Sequence, residues 1–324
     1  MFKYFISLII LCLANILWAQ PLKVALVLDK GGKDDKSFNS AAYLGATKAQ
    51  KDLGIELKYV EATDVNALES LHRSFAKKNY NLIIGIGFAQ ADAVKKVSAQ
   101  NPQAKFAIID AEIKAPNVRS ILFADHEGSF LVGALAALKS PQNTIGFIGG
   151  MDIPLIRRFA LGYSAGAKYI NPKIKIIENF IGVTGDSWNN PAKAKELALN
   201  QYNQNVDAIF VAAGASGAGV FDAAENKKKL AIGVDSNQNW IKPGFILTSM
   251  LKRVDIAVYE SIKQANENKF KAEVVHLGLA DKGIDYAMDE HNKNLISAQQ
   301  IQKIEKIKYD IIAKKIIVPD FYKK

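Results

Sequence analysis

The pattern of hydrophobic and polar positions repeats one strand-and-helix rhythm twice along the chain. Short, nearly continuous apolar runs predict strands that are buried on both faces, and stretches with helical periodicity separate them. The first set of predicted strands comprises residues 23–29, 57–60, 82–87 and 105–110, and the second set comprises residues 144–150, 174–180, 208–214 and 230–235. Such alternation is typical of parallel sheets covered by helices. We therefore predict an α/β protein with two Rossmann-like lobes.

Two further strand-to-helix units connect the predicted lobes. Residues 118–125 lead into a helix over 127–139, and residues 245–251 lead into a helix over 254–265. Segments that cross between two similar lobes predict hinge bending around a cleft. The predicted N-terminal lobe comprises residues 20–123 and 251–276, and the C-terminal lobe comprises residues 124–250 and 277–324.

The first nineteen residues predict a signal peptide. Lys3 precedes an uncharged run over residues 4–18 that is rich in Ile and Leu. This run is shorter than the roughly 20 apolar residues that span a membrane, and Ala19 offers a small residue for cleavage. The alternative is an uncleaved anchor.

The sole cysteine, Cys12, lies within this signal. Leu11 is larger than the residue that usually precedes a lipidated cysteine, so we expect no lipid anchor at Cys12. A mature chain without cysteine has no disulfide, thiolate metal site or cysteine nucleophile. We therefore expect a free periplasmic protein.

The formal net charge of +10 raises the possibility of a nucleic-acid or membrane-surface partner. However, the basic residues are scattered along the whole chain and interleave with acidic ones. Scattered charge of this kind is typical of a solvated surface. We predict that nucleic acid is not a partner and that the protein is a monomer.

The residues that follow the predicted strands indicate the chemistry of the cleft, because ligands of open parallel sheets lie beyond the carboxyl ends of the strands. Carboxylates stand there at Asp29, Asp110 and Asp235. Aromatic rings stand at the predicted loop positions Phe38, Phe88, Phe159 and Phe221. Rings and carboxylates together suit a planar heterocycle joined to a polyol, such as a nucleoside. Taken singly, each ring also fits core packing and each aspartate fits a helix cap.

Five stretches resemble the basic membrane protein family, the PnrA-like purine-nucleoside receptors of ABC importers. They are DKGGKDDKSFN (29–39), EGSFLVGALA (127–136), IGFIGGMDIPLIRRF (145–159), AAGASGAGVF (212–221) and GVDSNQ (233–238). The resemblance covers about residues 23 to 285. It implies the type I periplasmic-binding-protein fold, capture of a nucleoside by hinge closure, and an ABC permease of the inner membrane as partner. It implies no cofactor and no catalysis.

The resemblance also implies roles for nine residues of this chain. Phe38 and Phe221 would enclose the base between two rings. Asn39 and Asp110 would recognise the edge of the base, and Asp235 would accept hydrogen bonds from the ribose hydroxyls. Further contacts are implied at Lys252, Gly214, Asp29 and Phe88. Because three carboxylates would repel a phosphate, we expect nucleosides to bind better than nucleotides.

Other motifs point to different chemistry, but each lacks the context it needs. The GYSAG sequence at 162–166 matches a nucleophile elbow around Ser164, yet the pattern predicts that it lies inside a helix, where its glycines allow close packing against the sheet. The four histidines stand far apart, so we expect no metal site. The alternatives that remain are a sugar or autoinducer receptor of the same fold, a membrane-coupled sensor, and a nucleoside hydrolase or esterase.

Overall fold

Two six-stranded sheets organise the structure, a computed structural model that describes residues 20–62 and 64–323. The first sheet contains β1 (Lys23–Leu28), β2 (Glu56–Glu61), β3 (Leu82–Ile86), β4 (Lys105–Ile109), β5 (Val118–Phe123) and β11 (Val274–Leu277). Its strand order is β11-β5-β4-β3-β1-β2, and all its strands are parallel. The predicted signal peptide and Cys12 lie outside the described residues.

The second sheet repeats this arrangement. It contains β6 (Thr144–Met151), β7 (Lys175–Gly182), β8 (Ala208–Ala212), β9 (Leu230–Asp235), β10 (Ile246–Lys252) and β12 (Ile284–Tyr286). Its order is β12-β10-β9-β8-β6-β7, with only β12 antiparallel to its neighbour among the described strands. The prediction of two α/β lobes with parallel sheets is therefore confirmed.

Nine α-helices in the described part of the chain accompany the sheets. They are α1 (Phe38–Leu53), α2 (Leu68–Lys77), α3 (Ala91–Gln100), α4 (Asp125–Leu138), α5 (Pro154–Ile170), α6 (Pro191–Asn203), α7 (Gly217–Lys227), α8 (Val254–Asn266) and α9 (Ala298–Ile312). The central strands β1, β3, β8 and β9 are buried almost throughout. Burial on both faces explains why these strands are nearly continuous apolar runs in the sequence.

The chain crosses between the two sheets three times. It leaves the first sheet after β5 and enters α4, which packs on α5 of the second lobe. It returns after β10 through α8, which packs on α1, and then adds β11 to the first sheet before β12 joins the second. Three chain segments therefore connect the two lobes.

The glycines of the GYSAG sequence serve helix packing. Gly162 and Gly166 lie inside α5, and a Cβ on either would overlap the backbone of α4 at His126 or Phe130. They therefore pack against a helix, and not against the sheet as the sequence suggested. Ser164 also lies in this helix and not at a sharp strand-to-helix turn, so the geometry of a nucleophile elbow is absent.

Some elements differ from the sequence prediction. Phe159 and Phe221 were expected in loops, but α5 begins at Pro154 and α7 begins at Gly217, so both rings lie on helices. The short strands β11 and β12 and the helix α9 were not predicted. The two strands have four and three residues, and such short runs carry almost no periodic signal.

Candidate functional site

A cavity lies between the lobes, where the carboxyl ends of strands from both sheets face each other. It encloses about 560 Å³ of empty space, part of which is open to solvent. Eight of the nine residues predicted for the site line it. They are Asp29, Phe38, Asn39, Phe88, Asp110, Gly214, Asp235 and Lys252.

The ninth predicted residue, Phe221, does not line this cavity. Its side chain is 1% exposed and packs among Val211, Val220 and other apolar residues of the second lobe. Because Phe221 lies on α7 behind the sheet, its ring is part of the hydrophobic core. Its predicted role as the second ring around a base is therefore corrected.

The rings that do face the cavity come from both lobes. Phe38 and Phe88 belong to the first lobe, while Phe159 and Trp188 belong to the second. The rings of Phe88 and Trp188 meet across the cleft in an edge-to-face arrangement, with centroids 6.4 Å apart. Rings from both lobes therefore line the cavity, and such a lining suits a flat, apolar ligand.

Trp188 was missed in the sequence because its segment follows the edge strand β7 as an irregular stretch. It lies in a 3₁₀ helix, Gly185–Asn189, and a Cβ on Gly150 would overlap its ring. Gly150 lies in β6, so the last glycine of the IGFIGG sequence makes room for the indole. An examination of every strand end, including that of β7, would have found it.

One corner of the cavity is an amide held between two carboxylates. Asn39 Nδ2 donates to Asp29 Oδ1 at 2.7 Å and to Asp35 Oδ2 at 3.0 Å. Asn39 Oδ1 accepts from the backbone N–H of Asp29 at 3.0 Å. Both amide donors of Asn39 are thus occupied, so its main effect is to orient Asp29. Burial raises the pKa of Asp29 to about 6, against the lowering effect of the Asn39 and Gly31 hydrogen bonds.

The floor of the cavity holds a buried lysine among carboxylates. Lys252 Nζ lies 2.6 Å from Asp110 Oδ2 and 3.1 Å from Asp125 Oδ1. The ammonium also lies 5.1 to 5.5 Å from the ring centroids of Phe38, Phe123 and Phe159. Burial by itself would lower the pKa of Lys252, but the charges of Asp110, Asp125 and Asp235 outweigh it and raise that pKa.

Asp235 occupies the strand end in the second lobe that corresponds to Asp110 in the first. Both have left-handed backbone conformations, with φ of 67° at Asp110 and 65° at Asp235. Such conformations are uncommon outside glycine, and aspartate tolerates them better than most residues. Ser37 Oγ donates to Asp235 Oδ2 at 2.6 Å from the opposite lobe. Burial raises the pKa of Asp235 to about 7, although Lys252 and Ser37 act to lower it.

The side chains of the site are hydrogen-bonding and aromatic groups. Among residues 20–62 and 64–323, no group of three or more His, Cys, Asp or Glu side chains is placed to hold a metal ion. His72 is buried against Gln90, with its Nε2 2.7 Å from Gln90 Oε1, and burial lowers its pKa to about 4.

None of the helices in the described part of the chain is long and apolar enough to cross a membrane.

Comparison with known proteins identifies the family. Residues 22–321 match the family described as ABC transporter substrate-binding protein PnrA-like, or Bmp. The chain belongs to this family. It is therefore a substrate-binding protein of an ABC transporter and not an enzyme, and it works outside the cytoplasm with a small-molecule ligand and a membrane permease.

Individual relatives support this assignment. The ABC transporter nucleoside-binding protein BmpA of Lactococcus lactis is 34% identical, over 92% of this chain and 89% of its own length. An uncharacterized lipoprotein of Pyrococcus abyssi is 35% identical, over 83% of this chain and 69% of its own. A crystal structure of an ABC transporter solute-binding protein from Aeropyrum pernix K1 is also similar, with a TM-score of 0.85 and 28% identity over 92% of this chain and 94% of that one.

The name of the Pyrococcus relative bears on the N-terminus of this chain. Because a family member is called a lipoprotein, the expectation that Cys12 carries no lipid loses support. Leu11 remains the only sequence argument against lipidation at this cysteine.

Proposed function

We propose that this chain captures purine nucleosides by closing its two lobes around them. The observation that carries the proposal is a cavity lined by aromatic rings and by carboxylates from both lobes. A base is flat and apolar on its faces and polar at its edge, while ribose presents several hydroxyl donors. A relative with 34% identity is named a nucleoside-binding protein.

In this proposal the base lies between Phe38 of the first lobe and Trp188 of the second. Trp188 replaces Phe221, which packs in the core. Stacking on aromatic rings contributes about 1–3 kcal/mol for each base. Phe88, edge-to-face with Trp188, and Phe159, near the Lys252 ammonium, complete the apolar wall.

The carboxylates divide between the two ends of the ligand. Asp29, oriented by Asn39, accepts from the N–H groups at the edge of the base. Asp110 also accepts from the edge of the base, and Asp235 accepts from the ribose hydroxyls, since Lys252 and Ser37 each occupy only one oxygen of their partner carboxylate. The backbone at Gly214 lies close enough to line the same space. Charge-assisted hydrogen bonds of this kind are stronger than neutral ones.

Hinge closure follows from the same arrangement. We propose that residues 20–123 with 251–276 and residues 124–250 with 277–324 move as two bodies. A ligand that contacts both bodies stabilises the closed form by its differential affinity for that form. The closed lobes then present a combined surface to the permease of the inner membrane. The exported protein acts as a monomer.

The identity of the small molecule that co-purifies with the protein tests this proposal. The purified protein is denatured mildly, and the released small molecules are identified by mass spectrometry. A purine nucleoside is the expected result, whereas a free pentose would favour a sugar receptor. A bound nucleoside that is cleaved over several hours would indicate a hydrolase. The mass of the intact mature chain, measured in the same experiment, shows whether Cys12 is retained with a lipid.

A further inference from the structure

A set of hydrogen bonds joins the two lobes beside the cavity. Ser236 Oγ donates to the carbonyl oxygen of Ser37 at 2.9 Å, and Gln238 Nε2 donates to the carbonyl oxygen of Lys36 at 2.9 Å. Ser37 Oγ donates in the other direction, to Asp235 Oδ2 at 2.6 Å. We call Lys36, Ser37, Ser236 and Gln238 the clasp.

Local contacts in each lobe fix the positions of Lys36 and Gln238 in the clasp. Lys36 has a left-handed backbone, with φ of 56°, a strained conformation for a residue with a side chain. Gln238 is 2% exposed, and its Oε1 accepts from the backbone N–H of Val234 at 2.8 Å. A Cβ on Gly233 would lie 2.5 Å from that Oε1. The amide of Gln238 is therefore held in place and directed at the opposite lobe.

A surface contact extends the clasp. Lys36 Nζ lies 5.4 Å from the ring centroid of Trp240, which is 52% exposed. A cation above an exposed aromatic ring adds a modest attraction. Since Trp240 follows Gln238 closely in the second lobe, both contacts with Lys36 act in the same direction, toward closure.

The clasp lies outside the ligand cavity. Ser37, Ser236, Gln238 and Trp240 are not among the residues that line it. The hydrogen bonds from Ser236 and Gln238, and the contact between Lys36 and Trp240, involve no residue of the cavity and remain available whether or not a ligand is present. Asp235, in contrast, belongs to both the clasp and the cavity. A contact that is made only in the closed form raises the population of that form.

We propose that Ser236, Gln238 and Trp240 are positioning residues that set the affinity and release rate of the ligand without touching it. The apparent dissociation constant equals the intrinsic constant divided by the fraction of closed protein. Loss of one hydrogen bond of this type shifts an equilibrium by roughly two- to tenfold. This proposal rests on ligand capture in the cleft but does not depend on the ligand being a nucleoside.

The substitution Ser236→Ala tests the clasp, and Ser40→Ala is its matched control. Ser40 Oγ donates to the same carbonyl oxygen of Ser37 at 3.0 Å, but from within the first lobe. Spin labels at Val65→Cys and Val183→Cys, which replace exposed residues of the two lobes in a Cys12→Ser background, report the distance between the lobes. Pulsed electron resonance of ligand-free protein then gives the fraction of open molecules.

We expect Ser236→Ala to raise the ratio of open to closed molecules by roughly two- to tenfold and Ser40→Ala to leave it unchanged. Adenosine should dissociate faster from Ser236→Ala by a similar factor, with the melting temperature unchanged. Trp240→Ala, at an exposed position, provides a second variant and should act in the same direction. Distance distributions that match the parent protein in both Ser236→Ala and Trp240→Ala would overturn the proposal. If adenosine does not bind at all, the proposed function fails, while the distance measurement still decides the clasp.

Discussion

Lys252 Nζ lies 2.6 Å from Asp110 Oδ2, and this ion pair joins the second sheet to the first at the floor of the cleft. Lys252 ends strand β10 of the second sheet, and Asp110 follows strand β4 of the first. Their side chains are 2% and 5% exposed, so the pair is shielded from solvent. Asp125, at the start of α4, lies 3.1 Å from the same ammonium. One buried cation therefore contacts two buried carboxylates, and Arg158 Nη1, 3.7 Å from Asp125 Oδ2, is a second counter-charge for Asp125.

Removal of this cation should destabilise the fold. Lys252→Met keeps much of the side-chain volume but leaves Asp110 and Asp125 without their nearest counter-charge. Breaking a buried ion pair in this way costs about 3–5 kcal/mol. The free energy of unfolding in denaturant measures the effect, and Lys306→Met, at a side chain that is 74% exposed, is the control. A loss no larger than that of the control would show that the carboxylates do not depend on Lys252.

The buried carboxylates also make stability depend on pH. The pKa of Asp235 is raised to about 7 in the folded protein and is near 4 in an unfolded chain. The folded state therefore holds more protons than the unfolded state between these values, and the stability contributed by Asp235 is lost as the pH rises through about 7. Lys252, Asp35 and Asp110 are the charged groups that face it.

Asp235→Asn isolates this contribution, because asparagine tolerates the left-handed backbone and still accepts from Ser37. We expect the ligand-free variant to be more stable at pH 7.5, by on the order of 2–4 kcal/mol, with the difference fading toward pH 4. Burial lowers the pKa values of His72 and His126 to about 4, so the stability that they contribute is lost as the pH falls, which is the opposite trend. Both proteins contain these histidines, so subtracting the stability curve of the parent from that of the variant removes their effect. A difference that does not vary with pH would contradict this prediction. Asp34→Asn, at a side chain that is 86% exposed, is the control.

Trp188 and Phe221 should respond oppositely to substitution. Trp188→Ala should weaken nucleoside binding by about 1–3 kcal/mol, because a ring that stacks on the base is lost. Phe221→Ala should instead lower the free energy of unfolding by about 3–5 kcal/mol, because it leaves a cavity in the core. Calorimetric titration and denaturant unfolding of both variants separate the two roles. If Phe221→Leu, which keeps the core filled, lost binding while Trp188→Ala retained it, the corrected assignment would be wrong.

Gly150 should control the placement of the indole. A Cβ at this position would overlap the Trp188 ring, so Gly150→Ala must displace the ring from the cleft. We expect weaker nucleoside binding and a shifted tryptophan fluorescence maximum. Gly244→Ala is an informative control, because a Cβ there meets nothing within 4 Å and its left-handed φ of 84° reports backbone strain alone. An equal loss of binding in Gly244→Ala would show that the loss does not come from displacement of the Trp188 ring.

The sequence was sufficient to predict ten of the twelve described strands and eight of the residues that line the cavity, because buried parallel strands are continuous apolar runs and their ends are easily located. Asp29, Asp110 and Asp235 were found in this way. Phe221 was misplaced because a ring four residues into a helix can face either the cleft or the core, and only the packing of α7 decides which. Trp188 follows an edge strand, where the apolar signal is weakest. The clasp involves backbone carbonyls, which no residue pattern reveals.

Calorimetric titration of the ligand-free protein tests the central claim most directly. Adenosine, inosine, free ribose and adenosine monophosphate are compared under one set of conditions. We predict saturable binding of both nucleosides and markedly weaker binding of the monophosphate. Ribose should bind at least about 100-fold more weakly than the nucleosides, because the stacked base contributes up to about 3 kcal/mol and its polar edge adds further hydrogen bonds. Binding of ribose as tight as that of adenosine, or of the monophosphate as tight as that of the nucleoside, would contradict the central claim.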